Sequence, residues 1–143
     1  METRPYTAAD ESACLSVFDS NVPDFFAAGE RAEFEEFLRD PKCTYVVMEH
    51  AGELVGCGGY YVLPDRASAR LVWGMVRRAF HKQGLGRFLL MYRMKEVTRL
   101  APVQTVSLTT TPLAAGFFAS QGFKAVSVVG DRTEMIRKLA VCA

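Results

Sequence analysis

The spacing of apolar residues along the chain changes repeatedly between the two-residue period of a strand and the 3.6-residue period of a helix. Residues 3–6 have the composition of a short strand. Thr7-Ala8-Ala9-Asp10 then fits the capping box that opens a helix, here running toward Phe18. After Pro23, a second short helix is predicted before Asp40-Pro41 by three apolar residues at helical spacing: Phe34, Phe37 and Leu38.

A three-stranded meander is predicted next. Residues 44–49 and 54–62 are rich in β-forming residues, and they flank Ala51-Gly52, which has the composition of a hairpin turn. Pro64-Asp65 marks another turn. Residues 69–76 form the third strand of the meander.

The period changes from two to 3.6 residues at Gly84 and Gly86. The helix that follows ends before Pro102. Residues 105–108 then form a strand that would pair in parallel with the strand ending at Val76. We expect the apolar positions of the helix to lie in the core: Leu85, Phe88, Leu89 and Tyr92.

The last part of the chain predicts one more helix and two strands. Thr111-Pro112 suits the N-cap and first position of a helix that Gly122 closes, and residues 123–129 and 133–139 form a final strand pair. The whole pattern predicts one α/β domain over residues 1–143. Its mixed sheet has six to seven strands with about four helices, and a β-meander precedes a βαβ unit.

Composition excludes several classes of function. Half of the residues are hydrophobic, 23% are charged and the formal net charge is +1, so neither a disordered tail nor electrostatic binding of nucleic acid is indicated. The longest apolar runs fall well short of the roughly 20 residues of a membrane span. Since Met1-Glu2-Thr3-Arg4-Pro5 lacks the pattern of a signal peptide, we expect a cytoplasmic protein without membrane contact.

The cysteines suggest neither a metal site nor a disulfide framework. They are widely spaced, with no Cys-x-x-Cys and no nearby pair of histidines. We therefore expect reduced cysteines with structural roles and no metal cofactor. The four positions are Cys14, Cys43, Cys57 and Cys142.

The glycine turn Gln83-Gly84-Leu85-Gly86 carries the candidate chemistry. Backbone N–H groups at the start of a helix lack intrahelical partners, and the helix dipole adds about half a positive charge there. Glycines remove side chains where another group must approach, so the turn favours a phosphate. The third glycine of the Rossmann fingerprint is absent, because Leu89 stands there, and the Gly-Lys-Ser/Thr of a P-loop is absent too.

Two segments resemble the GNAT superfamily of N-acetyltransferases. The acetyl-CoA motif of that family, Arg/Gln-x-x-Gly-x-Gly/Ala after a strand ending in a branched apolar residue, is similar to His81-Lys82-Gln83-Gly84-Leu85-Gly86 after Val76. The apolar-aromatic pair before a Gly-Phe step matches Phe117-Phe118 before Gly122-Phe123 at the expected distance. The resemblance covers residues 70–139, whereas the amino-terminal half carries no diagnostic motif.

The resemblance implies a binding site for acetyl-CoA between two splayed parallel strands. Backbone groups of Met75 and Val76 would hold the pantetheine, and the Val76 N–H would polarise the thioester carbonyl. His81 replaces the family's Arg or Gln, and the nearby cations Arg78, Lys82 and Arg87 can supply its charge. The N–H groups that would bind the pyrophosphate are those of His81, Lys82, Gln83, Gly84, Leu85, Gly86 and Arg87.

The position of the family's thiol-protonating tyrosine is occupied by Phe118. A thiol with a pKa near 8.5 leaves readily as thiolate, so transfer remains feasible, although positioned proton transfer typically contributes about 10²- to 10⁴-fold. Tyr60, Tyr61, Tyr92 or a water can substitute. Tyr60 is the preferred acid because its strand should lie beside the strand that binds the cofactor.

The acceptor side is less determined by the sequence. Trp73 and the segment Pro23-Asp24-Phe25-Phe26 are candidates for the acceptor pocket, with core packing as the alternative. An amine with a pKa near 10.4 needs a base, whereas an α-amine near 8 does not strongly need one. The open candidates for that base are Asp24, Glu30, Glu49, His50 and Asp65.

We therefore expect an N-acetyltransferase that moves an acetyl or other acyl group from acetyl-CoA to a primary amine of a small molecule, peptide or protein by direct attack. The alternative is a noncatalytic acyl-CoA sensor or interaction module, which the missing tyrosine at Phe118 suggests. A third, minor hypothesis is that the glycine turn has a purely structural role. The acceptor, the acyl chain length and the oligomeric state are left open, with a homodimer among the alternatives.

Overall fold

A computed structural model describes residues 1–139 of the chain. These residues form a mixed α/β fold with seven strands and four α-helices, in agreement with the sequence prediction. The strands are β1 (Glu2–Pro5), β2 (Thr44–His50), β3 (Glu53–Val62), β4 (Ser68–Val76), β5 (Thr105–Thr110), β6 (Lys124–Val129) and β7 (Arg132–Lys138). The helices are α1 (Glu11–Ser20), α2 (Arg31–Arg39), α3 (Leu85–Leu100) and α4 (Pro112–Ser120).

The seven strands form one sheet in the order β1-β2-β3-β4-β5-β7-β6. Every neighbouring pair is antiparallel except β4 and β5, which are parallel and joined by the crossover helix α3. The predicted meander and βαβ unit are therefore both present. Antiparallel neighbours can be joined by a short turn, whereas a parallel pair needs a longer crossover connection, here provided by α3.

Several element boundaries follow from local chemistry that the sequence predicted. Ala51 and Gly52 have φ of 51° and 80°, the left-handed values that a tight hairpin turn requires. The Thr7 N–H donates to Asp10 Oδ2 at 2.9 Å, as the capping box predicted, although the box opens a short 3₁₀ turn that leads into α1. Gly122 closes α4 with φ of 91°.

The sheet is covered on both faces. Val46 and Val47 are adjacent on β2 but belong to different apolar clusters, because successive side chains of a strand point to opposite faces. One cluster packs against α1 and α2, and the other against α3. None of the helices within residues 1–139 is long and apolar enough to span a membrane.

The apolar stripe predicted for α3 is wrong at one position. Leu89 is buried and Leu85 and Tyr92 pack against the core, but Phe88 is 43% exposed. The buried face is rotated, because the helix rests on the sheet through Leu89, Leu90, Met94 and Val97, and it includes the charged residue Arg93. Cys14 and Cys57 are buried free thiols and Cys43 is partly buried and free, whereas Cys142 lies outside the described residues.

Candidate active site

Strands β4 and β5 separate along part of their length. Their parallel pairing covers only Ser68 with Thr105, Ala69 with Val106, and Arg70 with Ser107, whereas β4 continues to Val76. The second half of β4 therefore has no partner on its β5 side. The gap opens a cavity of about 610 Å³, a volume typical of a site for a small molecule or cofactor.

A β-bulge shapes the cavity wall at the point of separation. Val72 pairs with Gly59 and Met75 pairs with Cys57, so two residues of β4 stand opposite one residue of β3. Trp73, the first of the two, has a left-handed φ of 45°. Its indole lines the cavity and packs with its ring centroid 5.0 Å from that of Phe34.

At the end of β4, the N–H and the carbonyl of Val76 point toward the gap. The Arg77 N–H donates to the Val55 carbonyl at 2.7 Å, while Val76 stands opposite Gly56. In a strand, the N–H and carbonyl of one residue point to the same edge, and this edge alternates from each residue to the next. Since Arg77 faces β3, the N–H and carbonyl of Val76 face away from β3. By the same alternation the Met75 peptide faces Cys57, so Met75 contributes to the cavity wall but directs its backbone toward β3.

Two side chains hold the Val76 carbonyl. Asn21 donates through Nδ2 to this oxygen at 3.0 Å and to the Val17 carbonyl at 2.9 Å. His81 Nε2 lies 2.7 Å from the same Val76 oxygen. The Val76 carbonyl is therefore fixed, and the Val76 N–H, which belongs to the preceding peptide group, points to the same edge of β4, into the gap beyond the last β4–β5 pair.

The predicted glycine turn forms a cradle of free backbone donors. Lys82 and Gly84 both have left-handed φ, 62° and 84°, and α3 begins directly afterward. Within the described residues, none of the N–H groups from Lys82 through Arg87 has an intramolecular acceptor. A concave set of such donors at the start of a 16-residue helix is suited to an anion.

The space at the two glycines fits a phosphate group. A Cβ at Gly84 would meet nothing within 4 Å, and one at Gly86 would meet only the Phe117 ring, at 3.6 Å. Both residues line the cavity, so a side chain there would occupy the cradle. Of the residues predicted to bind pyrophosphate, His81, Lys82, Gly84, Gly86 and Arg87 line the cavity, whereas Gln83 and Leu85 lie outside its wall.

The three predicted cations differ in their surroundings. Lys82 and Arg87 line the cavity. Arg78 is instead paired with Asp24 at 2.8 Å, and its guanidinium lies 5.0 Å from the centre of the Phe25 ring. Its charge is therefore largely compensated by the loop between α1 and α2, which it fastens to the end of β4.

Of the acceptor-side candidates, Phe25, Phe26 and Trp73 line the cavity, whereas Pro23 and Asp24 do not. Glu30 is the one candidate base that the structure brings to the wall. It lies 3.4 Å from Arg132 on β7 and accepts a hydrogen bond from the Ala27 N–H. The structure does not bring the other carboxylates there, because Glu49 pairs with Arg4 and Asp65 accepts hydrogen bonds within the β3–β4 turn.

The structure separates position 118, where the family has its tyrosine, from Tyr60, the preferred substitute acid. Phe118 lines the cavity and packs edge-on against Phe117 and Phe123, at 5.1 and 5.9 Å between centroids. Tyr60 is buried in the core, outside the cavity wall. Burial raises the pKa of its phenol, with Glu96 on α3 as a further contributor. The register places it opposite Leu71, one residue past the last β4–β5 pair.

Among the cavity-wall residues that were not identified from the sequence are Asn21, Arg93 and Thr111. Each has a buried polar atom without a hydrogen-bond partner in the described residues, namely Asn21 Oδ1, Arg93 Nε and Thr111 Oγ1. Buried polar atoms are normally paired, so each of these residues brings an unsatisfied polar group to the cavity wall. The only sequence feature that pointed to Arg93 was a charge on the apolar side of α3.

Comparison with known proteins agrees with this geometry. The model of the acetyltransferase (GNAT) family matches residues 14–123. A putative acetyltransferase of the GNAT family from Desulfovibrio desulfuricans is 21% identical over 99% of both chains, with a TM-score of 0.81. The PaiA N-acetyltransferase of Thermoplasma acidophilum, solved in complex with coenzyme A, is 14% identical over 96% of this chain and 98% of its own, with a TM-score of 0.78.

The ribosomal-protein-S18-alanine N-acetyltransferase of Escherichia coli also has a similar fold. It is 17% identical, with 99% of this chain and 96% of that chain covered and a TM-score of 0.76. At these identities the likeness establishes the fold. No curated protein sequence matches this chain significantly.

Proposed function

Because this chain belongs to the acetyltransferase (GNAT) family, we propose that it is an N-acetyltransferase that moves an acetyl group from acetyl-CoA to a primary amine by direct attack. The observation that carries the proposal is one continuous cavity. It joins the cradle of free N–H groups at the start of α3 to the gap between β4 and β5. A phosphate site and a strand-shaped slot in one cavity suit a long, polyanionic acyl carrier.

The residues of the cradle would bind the pyrophosphate of the cofactor. The N–H groups from Lys82 through Arg87 donate to anionic oxygens, and the Lys82 and Arg87 side chains add positive charge. Gly84 and Gly86 leave the space for close approach. Bound acetyl-CoA would supply an acyl group activated as a thioester.

The Val76 N–H would polarise the acyl carbonyl. The carbonyl of the same residue is held by Asn21 and His81, so the N–H keeps its direction and need not reorganise when negative charge develops on an oxygen beside it. This is the catalytic contribution that backbone geometry supports best.

Glu30 would receive the proton of the acceptor amine. It is the candidate carboxylate in the cavity wall, and Phe25 and Trp73 supply apolar surface around the same space. A base matters most for an amine with a lysine-like pKa near 10.4, since little of it is neutral at pH 7. The proposed acceptor is therefore a primary amine on a small molecule, peptide or protein.

The second candidate function is a noncatalytic acyl-CoA sensor or interaction module. Phe118 favours it, because no tyrosine among residues 1–139 lines the cavity. Titration calorimetry with acetyl-CoA and an assay of CoA release over a panel of amines distinguish the two. Turnover with an amine above the rate of hydrolysis supports the transferase. Binding of acetyl-CoA without transfer to any amine supports the sensor, and the absence of binding contradicts both.

A further inference from the structure

Arg93 is a buried cation on the face of α3 that packs on the sheet. The residue is only 4% exposed and lines the cavity. Its guanidinium lies against two strand glycines: a Cβ on Gly74 would be 2.6 Å from Nη2, and one on Gly58 would be 3.2 Å from Nε. A side chain at either position would displace it, so these glycines provide the room for Arg93.

The charge of Arg93 has no counterion among residues 1–139. Its one hydrogen bond runs from Nη1 to the Gly59 carbonyl at 3.4 Å, while Nε is occluded without an acceptor and Nη2 makes no hydrogen bond. Burial lowers the pKa of the guanidinium to about 10, which leaves it protonated at neutral pH. A buried charge without a partner is costly, so a purely structural role does not explain it.

Tyr45 on β2, a neighbouring titratable group, supplies no negative charge to Arg93 at neutral pH. Burial raises the pKa of this phenol, and its hydroxyl donates to the Trp73 carbonyl at 2.7 Å. Cys57 on β3 is the other titratable group close enough to act on Arg93, and it is a buried free thiol. Within the described chain, Arg93 makes no ion pair with any carboxylate.

The guanidinium occupies the place of the missing Gly74 side chain, two residues before Val76. On the basis of the proposed function, we propose that the Arg93 guanidinium is an anion site for the thiolate sulfur of coenzyme A. When the amine nitrogen bonds to the acyl carbon, the carbon–sulfur bond breaks and its electron pair stays on sulfur. Arg93 would stabilise that charge, and the amine proton passes to Glu30 or water.

This role accounts for Phe118. A phenol at position 118 would give the departing sulfur a proton, whereas a fixed guanidinium stabilises the thiolate without proton transfer. The cation on α3 thus performs electrostatically what a hydroxyl on α4 would perform by acid catalysis. The two residues line the same cavity.

The test is the pH dependence of CoA binding compared with that of desulfo-CoA, which lacks the sulfur. His81, Lys82 and the phosphates act on both ligands alike, so their contributions cancel in the ratio of affinities. A cation within about 4–6 Å lowers the pKa of a neighbouring acid by about one unit or more. From an ordinary thiol pKa near 8.5, the CoA preference should rise about sevenfold between pH 6.5 and 9.

Arg93→Gln should abolish this rise, and Arg93→Lys should retain part of it because the positive charge remains. Arg87→Gln is the matched control, since a phosphate contact should weaken CoA and desulfo-CoA equally and leave the ratio unchanged. Desulfo-CoA affinity and circular dichroism report whether each variant is folded. The measurement on the unsubstituted protein stands by itself if Arg93→Gln does not fold.

A ratio that does not change with pH in the unsubstituted protein would overturn the inference while leaving the proposed function intact. An unchanged ratio in Arg93→Gln would do the same. If Arg93→Gln instead raises KM only for amines that carry a carboxylate, the anion site belongs to the acceptor. Failure of both CoA and desulfo-CoA to bind would contradict the proposed function itself.

Discussion

The Asn21 side chain joins the end of α1 to the end of β4 by donating a 3.0 Å hydrogen bond to the Val76 carbonyl. Asn21 is 1% exposed, and the same amide also donates to the Val17 carbonyl. The residue whose N–H would polarise the acyl group is therefore held from the amino-terminal half of the chain. The contact couples α1 to the end of β4, the strand proposed to bind the cofactor.

We predict that Asn21→Ala lowers the free energy of unfolding by about 1–3 kcal/mol, because two buried carbonyls lose a donor. It should also reduce kcat more than acetyl-CoA affinity, since the direction of the Val76 N–H becomes less fixed. Urea denaturation and steady-state kinetics measure the two effects. Ser12→Ala, at an exposed position of the same helix, should stay within about 0.5 kcal/mol of the parent. A loss of affinity as large as the loss of kcat would contradict this assignment.

Gly86→Glu should reduce acetyl-CoA affinity at least tenfold while the protein stays folded. The new side chain enters the cradle and adds negative charge where the phosphates approach, and its Cβ makes only an ordinary 3.6 Å contact with Phe117. Gly116→Glu on α4 is a matched control, because Gly116 is exposed, outside the cavity wall, and has nothing within 4 Å of its Cβ position. Equal calorimetric affinities for the two variants would place the cradle elsewhere.

Glu30→Gln should lower kcat for amines of high pKa by tenfold or more and affect α-amines less. Glutamine keeps an oxygen that can accept from the Ala27 N–H, so the loop geometry is preserved while the base is removed. The pH–rate profile for both amine classes is the measurement. Equal losses for the two classes would indicate a role in binding, through the contact with Arg132, instead of proton transfer.

Tyr60→Phe should leave kcat and KM within about twofold of the parent. Its ring lies in the core against α3 and outside the cavity wall, so its hydroxyl is not placed to protonate a leaving group. A tenfold fall in kcat, equivalent to about 1.4 kcal/mol, would reinstate Tyr60 as the acid that its neighbouring strand position first suggested.

Phe118→Tyr, assayed in parallel, should raise turnover modestly at unchanged acetyl-CoA affinity.

The stability of the amino-terminal strand should depend on acid pH through Asp10. Hydrogen bonds from Arg4 and Thr7 lower the pKa of this carboxyl from 3.8 to about 2. Because the folded-state pKa is the lower one, the stabilisation is complete above about pH 4 and is lost as pH falls toward 2. Asp10→Asn should cost about 1 kcal/mol at pH 7, after allowance for the partial exposure of Arg4, and much less at pH 2, where the folded-state carboxyl is about half protonated. Urea titrations at both pH values measure the difference.

Much of the fold and of the candidate site could be predicted because the responsible chemistry is local. The hairpin at Ala51-Gly52, the N-cap at Thr111 and the glycines at 84 and 86 act through their own backbone conformation or that of adjacent residues. Five of the seven residues predicted for the pyrophosphate line the cavity, since a strand, a turn and a helix in succession leave the N–H groups of the turn free.

The order of the elements, the parallel pair around α3 and the turn with free N–H groups follow from residue patterns that are local in the chain. Which side chains meet in the gap depends on tertiary packing. Asn21 reaches Val76 across 55 positions of the chain, and Arg93 fits beneath the sheet because Gly58 and Gly74 come together through the register of β3 and β4. Tyr60 lies on β3, next to β4, yet its side chain is in the core. Phe88 on α3 is exposed to solvent. Contacts of this kind depend on register and helix rotation, which long-range packing fixes and local periodicity does not.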